Sequence, residues 1–333
     1  MGETYLGKLD YADPLYEILT SQVIADTKYP QFHVNRMSSG MVYKYTEENT
    51  RVAIIGKFYR LHDTKQERLL RKKGEFDNLA RLRNYGFDTY PNYVVRPISR
   101  EERIGLALTE EFIQGKDLDY YLKQAMFRFR VVPLIDNLSR LSSFLFALHS
   151  RTEDGNDVNL NALGSYFRKI LQRLLSQRVL SDDQGKSFLK MMDKWLKRIT
   201  YYGARNVIVH GDATPTNFIF TEKGDVVAID LERMKNCDLV YDIGMICGEL
   251  KHAFMWRTGN AFAAEPYIRH FLKSYTGHDA ASKRAFKEIT LRMPFYMALT
   301  ELRIARNNYL SWDYRKRLAH EALECMKWGF KLA

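Results

Sequence analysis

Two hydrophobic patterns divide the chain. Up to about residue 112, apolar and polar residues alternate in short runs, and a period of two is typical of strands with one buried face. The runs with this period are 31–36, 41–46, 51–59, 93–98 and 105–109. A helix over 15–24 is predicted before them, because Asp13-Pro14 supplies a capping carboxylate and a proline at the first helical position. The first part of the chain is therefore predicted to form a sheet with flanking helices.

After residue 115, apolar residues recur at every third or fourth position, as in helices that bury one face. This spacing predicts helices over 118–125, 134–151, 163–177, 184–201, 243–256, 265–275, 280–306 and 314–330. Pro294 predicts a break in the helix over 280–306, because proline lacks the N–H that an interior turn uses. The helix over 134–151 ends near His149, which has no evident acidic partner and is interpreted as structural.

Short strands interrupt the helical pattern between residues 207 and 229. Apolar runs over 207–209, 218–220 and 226–229 surround a polar segment, and Lys223-Gly224-Asp225 has the composition of a hairpin turn. This order of strand, loop, strand, turn and strand places any chemistry of the loop at strand ends.

The loop carries a spacing of polar residues that suits phosphoryl transfer. Asp212 follows His210-Gly211, Asn217 lies five positions further on, and Asp230 follows the last strand. Protein kinases use this spacing for a base and two metal-binding residues. We therefore predict Asp212 as the base, with Asn217 and Asp230 as Mg²⁺ ligands. The alternative is an ordinary turn followed by a carboxylate at a strand end.

The motif H-G-D-x-x-x-x-N, followed by I-D-x-E and by Tyr241-Asp242-Ile243-Gly244, resembles the aminoglycoside phosphotransferase and choline kinase superfamily. It departs from protein kinases, since Gly211 replaces arginine, Leu231-Glu232 replaces Phe-Gly, and no A-P-E follows. The resemblance implies a bilobal, protein-kinase-like α+β fold. Its small antiparallel-sheet lobe would span 1–112, and its larger helical lobe would span 113–333. It further implies supporting roles for His210 and Asp242, whose carboxylate would hold the loop backbone.

The first lobe contains candidates for nucleotide binding. Lys57 lies late on the third predicted strand, where kinases place the lysine that contacts the α- and β-phosphates, and Ile55 on the same face would pack on adenine. Lys44 is the alternative lysine. Ser39 and Gly40 lie in the turn that would cover the phosphates, although this turn lacks G-x-G-x-x-G.

A helix after these strands contains Glu75-x-x-x-Leu79-x-x-Leu82-x-x-x-Gly86, similar to a helix of the resembled family. Glu75 lies on the same face as Leu79, and an inward carboxylate needs a cation, so Lys57 is its predicted partner. Glu67 is the alternative. The segment 110–115 resembles the hinge of that family, which implies that the backbones of Glu111 and Ile113 contact adenine.

The acceptor is the least determined part of the sequence. Glu249, His252 and Trp256 lie on one side of the helix over 243–256, and Arg303 lies on the helix over 280–306. In the resembled superfamily these helices form the wall of the acceptor site. Basic residues there would suit an anionic acceptor and Glu249 a cationic one, whereas aromatic residues at helical spacing also pack in cores.

Composition limits the class of protein. The 333 residues carry a net charge of +11 and only three cysteines, without a C-x-x-C pair. We expect a cytoplasmic protein without disulfides, a signal peptide, a myristoylation signal or a membrane span. No nucleic-acid motif accompanies the charge, so a solvated basic surface is favoured over nucleic-acid or membrane binding, and nucleic acid is not an expected partner. The sequence does not determine the oligomeric state.

These features together predict an ATP-dependent, Mg²⁺-dependent kinase. It would transfer the γ-phosphoryl group to a hydroxyl of a small metabolite, sugar, amino alcohol or antibiotic, with ATP and Mg²⁺ as cofactors. The positive charge favours a neutral or anionic acceptor. Two alternatives are a kinase-fold enzyme that acts on a peptide or protein, and a nucleotide-binding pseudokinase.

Overall fold

The structure is a computed structural model that describes residues 3–22, 28–37, 41–59 and 66–331, without the side chains of 66–69 and 71–73. Ser39, Gly40 and the side chain of Glu67 therefore lie outside the described residues. The chain packs as two compact units, Met1–Gly115 with Ile219–Arg233 and Lys116–Phe218 with Met234–Ala333. The predicted lobes, 1–112 and 113–333, did not anticipate that the segment Ile219–Arg233 packs with the first unit.

An antiparallel sheet of six strands forms most of the first unit, in the order β1-β2-β3-β4-β7-β6. The strands before residue 115 are β1 Thr4–Lys8, β2 Phe32–Arg36, β3 Val42–Glu47, β4 Ala53–Phe58, β5 Asn92–Val94, β6 Pro97–Glu101 and β7 Leu106–Glu111. Helix α1, Pro14–Thr20, packs Leu15 and Leu19 against Phe32 and Ile54 of the sheet. Strand β1 was not predicted, because four of its five residues are exposed and no alternation marks it.

The predicted strand 93–98 is divided in the structure. Its first part, β5, pairs in parallel with β11, Val226–Ala228, whereas its second part, β6, pairs with β7. Strand β11 lies next to β10, Phe218–Phe220. The change of partner depends on chain segments that are distant in sequence, so local alternation carries no sign of it. Helix α2, Gln66–Leu82, continues into a π-helical turn, where Gly86 adopts φ 81°.

Eight helices of the described residues form most of the second unit. They are α3 Leu118–Arg128, α4 Val131–Thr152, α5 Leu160–Ser176, α6 Asp182–Tyr201, α7 Val240–Thr258, α8 Glu265–Gly277, α9 Ser282–Ala305 and α10 Trp312–Lys331. The strands of this unit are β8 Lys116–Asp117, β9 Asn206–Val209 and β12 Lys235–Asp238, and β12 pairs antiparallel with β9. Strand β12 was not predicted, since its sequence Lys-Asn-Cys-Asp has no apolar alternation.

Helix α4 is a core helix. Within the described part of the chain it alone is long and apolar enough to pass a length and hydropathy test for a membrane span. Its apolar face is nevertheless buried inside the unit. The buried residues of this face include Leu134, Leu138, Leu141, Phe144, Leu145 and Leu148. Length and composition alone are therefore no evidence for a span.

The end of helix α3 has an unusual backbone. Phe129 adopts φ 55° and ψ 23°, the left-handed region, and its N–H donates to the carbonyl of Gln124. This conformation closes many helices, but glycine or asparagine normally occupies it. A residue with a Cβ atom is strained there by about 1–2 kcal/mol.

Helices α7 and α9 approach each other closely. A Cβ atom at Gly244 would lie 2.3 Å from Cβ of Tyr296, and one at Gly248 would lie 2.9 Å from Cβ of Thr300. Helix α9 is continuous through Pro294, so the predicted break is wrong. The proline ring packs on α10 at Gly329. A Cβ atom added to Gly329 would lie 2.4 Å from Cβ and Cγ of Pro294. We attribute the continuity to this packing, which local sequence does not show.

We expect Gly244→Ala to destabilise the protein by about 1–3 kcal/mol, because the added methyl group has no space against Tyr296. Gly74→Ala is the matched control. A Cβ atom at Gly74, also inside a helix, meets nothing within 4 Å, so that variant should gain roughly 0.5–1 kcal/mol. Urea unfolding of both variants measures the two effects, and a neutral Gly244→Ala would contradict the close approach of α7 and α9.

Candidate active site

The loop 210–217 is held by a buried carboxylate. The N–H groups of His210 and Gly211 donate to the two oxygens of Asp242, at 2.6 and 3.1 Å. Asp242 lies in the first turn of α7 and is fully buried. Gly211 adopts φ 77°, a left-handed conformation that favours glycine. The loop conformation is thus fixed through its backbone, by the Asp242 carboxylate and by the left-handed Gly211.

Asp242 has a further partner, because Nε2 of His149 lies 3.5 Å from its Oδ2. The other ring nitrogen of His149 is 2.8 Å from the hydroxyl oxygen of Tyr275. The sequence interpretation that His149 lacks an acidic partner is therefore wrong. The three residues lie on α4, α7 and α8, and only the packing of those helices brings them together.

Asp212 is partly exposed at the head of this loop and bonded to Arg303. Nη2 of Arg303 donates to Oδ1 of Asp212, and Nη1 contacts the sulfur of Met245 at 2.9 Å. The two side chains are only 11% and 17% exposed, so water screens their attraction poorly. Burial lowers the pKa of Arg303, but Tyr241, Tyr166 and Asp212 outweigh it and raise that pKa. The pair is therefore an ion pair between a guanidinium and a carboxylate.

Asn217 follows in a short 3₁₀ turn, Pro215–Asn217. Its amide nitrogen donates to the backbone carbonyl of Asp212 at 2.9 Å. This contact fixes the orientation of the amide and leaves its oxygen for another partner. The structure thus places Asp212, the predicted base, directly against Asn217, a predicted metal ligand.

Lys57 in the first unit lies between two buried carboxylates. Its Nζ is 2.6 Å from Glu75 on α2 and 3.1 Å from Glu110 on β7. The Glu75 contact was predicted, and the Glu110 contact was missed. The signal for it is present, since Leu106, Leu108 and Glu110 alternate on one face of a strand that is buried from Leu106 to Glu110.

Around Lys57, burial and the neighbouring charges shift the pKa values of the side chains in opposite directions. Burial lowers the pKa of Lys57, but Glu110, Glu75 and Asp230 together raise it more. Burial raises the pKa of Glu75 to about 8 and raises that of Glu110, with Lys57 opposing the shift in both. Burial therefore favours the neutral form of the two carboxyl groups, and Lys57 favours their ionised form.

Asp230 lies two residues after the end of β11 and is close enough to influence the pKa values of Lys57 and Glu75. It adopts φ 62°, a left-handed conformation that few residues other than glycine, asparagine and aspartate tolerate. The amide nitrogen of Asn78 donates to the carbonyl of Leu231 at 2.9 Å and anchors the chain after it. Strain at one residue, fixed by its neighbours, is common where a side chain is positioned for function.

The remaining nucleotide candidates have these positions. Ile55 is 8% exposed on β4, in register with Glu110 and Lys44. Lys44, the alternative to Lys57, instead pairs with Glu3 at 3.5 Å and lies over the ring of Phe112.

The hinge candidates occupy the end of β7 and the segment that follows it. The Glu111 side chain accepts from the Tyr93 hydroxyl and the Arg96 N–H, at 2.6 and 2.8 Å. Ile113 belongs to no helix or strand. Their backbone contacts with adenine stay a prediction.

The acceptor candidates divide into two groups. Arg303 contacts Asp212, and Glu249 lies close enough that both residues affect its pKa, which burial raises to about 7. His252 bonds the Tyr314 hydroxyl at 3.0 Å and stacks on Trp256. Burial and Arg257 lower the pKa of His252 to about 4, so it is neutral at physiological pH. Arg303 and Glu249 are thus the acceptor candidates that lie near Asp212, the predicted base.

Residues 42–282 match the sequence model of the phosphotransferase enzyme family. No curated protein has a sequence that matches the chain. Among solved structures, the chain is similar to a Plasmodium vivax ethanolamine kinase, with 12% identity, a TM-score of 0.61 and coverage of 94% of this chain and 85% of that chain. It is also similar to a choline kinase from Cryptosporidium parvum, with 13% identity, a TM-score of 0.57 and coverage of 95% and 94%.

An ADP-bound aminoglycoside phosphotransferase, APH(2'')-Ib, is similar at 15% identity and a TM-score of 0.57, with coverage of 94% of this chain and 97% of that chain. At such identities these similarities show the fold. They confirm the predicted kinase-like α+β fold, with an antiparallel sheet in its amino-terminal part and a helical carboxy-terminal part.

Asp242→Asn should lower the free energy of unfolding by about 1–3 kcal/mol. An amide has a single acceptor oxygen, so one buried N–H of the loop loses its partner. Asp193→Asn is the control, because Asp193 is 66% exposed and pairs only loosely with Arg168; its effect should stay within about 0.5 kcal/mol. Urea unfolding of both variants is the measurement. Equal stabilities would show that Asp242 does not hold the loop.

Proposed function

Because the chain belongs to the phosphotransferase enzyme family, we propose that it transfers the γ-phosphoryl group of ATP to a hydroxyl of a small molecule, with Asp212 as the base. The observation that carries this proposal is the arrangement of the loop 210–217. It presents a partly exposed carboxylate on a backbone that Asp242 holds from beneath, with the Asn217 amide against it. Such a fixed carboxylate suits the removal of a proton from an attacking hydroxyl.

The described residues fit ATP and Mg²⁺. Oε2 of Glu110 is buried without a hydrogen-bond partner among them, beside an ammonium suited to phosphate oxygens. We propose Asp230 and Asn217 as the metal ligands, because a carboxylate and an amide oxygen are groups that Mg²⁺ prefers. Bound Mg²⁺ would neutralise charge on the phosphates. The ADP in the similar aminoglycoside phosphotransferase supports a nucleotide here.

Arg303 has a role that the sequence did not reveal. We propose that its guanidinium holds one oxygen of Asp212 and so orients the carboxylate toward the acceptor hydroxyl. The contact is charge-assisted and nearly buried, which makes it stronger than an exposed pair. Arg303 is then a positioning residue for the base, and Glu249 is the neighbouring candidate for contact with the acceptor. His252 and Trp256 would lie further along the same helix.

A screen of hydroxylated metabolites by ATP consumption tests the proposed function. Sugars, amino alcohols, nucleosides and aminoglycosides should all be included, since the similar structures are of ethanolamine, choline and aminoglycoside kinases. Transfer of phosphate to one of them, detected by mass spectrometry of the product, is the expected result. Tight Mg·ATP binding without transfer to any acceptor would favour a pseudokinase.

Asp212→Asn should leave ATP affinity nearly unchanged and lower kcat by roughly 10²–10⁴, because it removes the proton acceptor and preserves size. Steady-state kinetics with the identified acceptor is the measurement. Asp193→Asn, an exposed change of the same kind, should retain full turnover. Near-normal turnover of Asp212→Asn would exclude Asp212 as the base.

Asp230→Ala should abolish the Mg²⁺-dependent part of ATP binding, since the bound metal loses a carboxylate ligand. Calorimetry with and without Mg²⁺ separates this loss from general damage. Asp77→Ala is the control in the same unit, because Asp77 is 65% exposed and pairs only with Arg100 among the described ion pairs. An unchanged Mg·ATP affinity in Asp230→Ala would make the metal assignment wrong.

Arg303→Met should lower kcat by roughly 10–100-fold with little change in KM for ATP, the equivalent of about 1.5–3 kcal/mol for a charge-assisted hydrogen bond. Arg303→Lys should recover part of the loss, because an ammonium can still pair with Asp212. Arg269→Met, at an exposed position of α8, is the control. A loss of thermal stability with an unchanged kcat would assign Arg303 a purely structural role.

A further inference from the structure

The connection between α3 and α4 exposes a short segment of apolar residues and two arginines. We call residues 127–133, with the sequence Phe-Arg-Phe-Arg-Val-Val-Pro, the α3–α4 corner. Every one of these residues is exposed, including Phe127 at 58%, Phe129 at 87% and Val132 at 69%. Exposed apolar side chains that occur singly are ordinary, but a contiguous group on one turn marks a surface that contacts something.

Folding does not account for Phe129. Its left-handed backbone would be less strained with glycine or asparagine, and its ring recovers nothing by burial. Phe129 therefore lowers the stability of the fold through its backbone, and its exposed ring does not offset that cost. Such a residue is best explained by a bound state in which the ring is removed from water.

The charges at the corner favour an anionic partner. Arg128 and Arg130 flank Phe129, and no acidic residue occurs from 120 to 135. The whole chain carries a net charge of +11, so its field also favours an anionic surface. Apart from the backbone, the corner presents hydrogen-bond donors and apolar groups without a single acceptor side chain.

We propose that the α3–α4 corner inserts its two phenylalanine rings and Val132 into the interfacial region of an anionic lipid membrane, with Arg128 and Arg130 on the lipid phosphates. Aromatic side chains favour the boundary between headgroups and acyl chains, and arginine pairs with phosphate there. A protein partner would also cover apolar side chains, but its surface normally matches both donors and acceptors. The contact is reversible, because so small an apolar group and two cations give only marginal anchoring.

Vesicle flotation of the whole protein tests this proposal. The protein should float with vesicles of phosphatidylglycerol and phosphatidylcholine, remain unbound with phosphatidylcholine alone, and dissociate as salt rises. Phe127→Ser with Phe129→Ser should reduce the bound fraction at least about tenfold. Arg128→Glu with Arg130→Glu should reduce it to a similar extent.

Matched controls separate the corner from the general charge and hydrophobicity of the protein. Tyr201→Ser removes an aromatic ring that is 82% exposed at the end of α6, and Lys190→Glu with Lys197→Glu makes the same change in net charge on that helix. Both controls should float like the wild type. Unchanged melting temperature and Mg·ATP affinity would show that the corner variants remain folded.

Phe129→Trp measures how deeply the corner enters the membrane. The fluorescence of the introduced tryptophan should be quenched by brominated phosphatidylcholine within anionic vesicles. Failure of the wild type to float, or equal flotation of the wild type and the corner variants, would overturn the proposal. Light scattering adds a third outcome. A dimer that the phenylalanine variants abolish, without vesicle binding, would assign the corner to self-association.

Discussion

The two hydrogen bonds from the loop backbone to Asp242 are the constraint on which the site depends. They set the direction in which Asp212 and Asn217 project, because a backbone fixed at His210 and Gly211 leaves the following residues few conformations. The carboxylate is fully buried, and a buried charge requires several partners. It has them in two backbone N–H groups, and Nε2 of His149 lies 3.5 Å from one of its oxygens. The chemistry of the loop thus rests on residues that contact no substrate in the proposed reaction.

Buried charges recur in both units, and in each unit they join elements that are distant in sequence. Lys57, Glu75 and Glu110 connect two strands with α2, while Asp238 connects Tyr296 and Arg292 of α9 with β12. Such groups add little net stability compared with apolar residues of the same size. A misplaced strand or helix would leave a charge buried without its partner. We interpret these clusters as devices that specify one arrangement of elements rather than as sources of stability.

Local sequence predicted the features that local physics determines. Alternation predicted most strands of the first sheet and helical spacing predicted the helices, whereas the chemistry that the spacing of Asp212, Asn217 and Asp230 indicates stays a prediction. Prediction from local sequence failed where the structure depends on a contact with a residue that is distant along the chain. Pro294 is tolerated because Gly329 offers it space, and the partners of His149, Lys57 and Asp212 come from elements that the chain pattern does not connect. The divided strand at 92–101 has a local trace of its failure, in the proline that begins β6.

The discontinuous first unit has a consequence for synthesis on the ribosome. Its segment Met1–Gly115 emerges first, but β11, Asp230 and all of β10 except Phe218 belong to Ile219–Arg233. Strand β5 therefore has no β11 to pair with until more than a hundred further residues have been translated, which takes several seconds at roughly 5–20 residues per second. During that interval one strand edge is open while the helices α3 to α6 emerge. The first unit therefore cannot complete its fold before Arg233 has emerged, and the second unit must wait longer still, because it also needs Met234–Ala333.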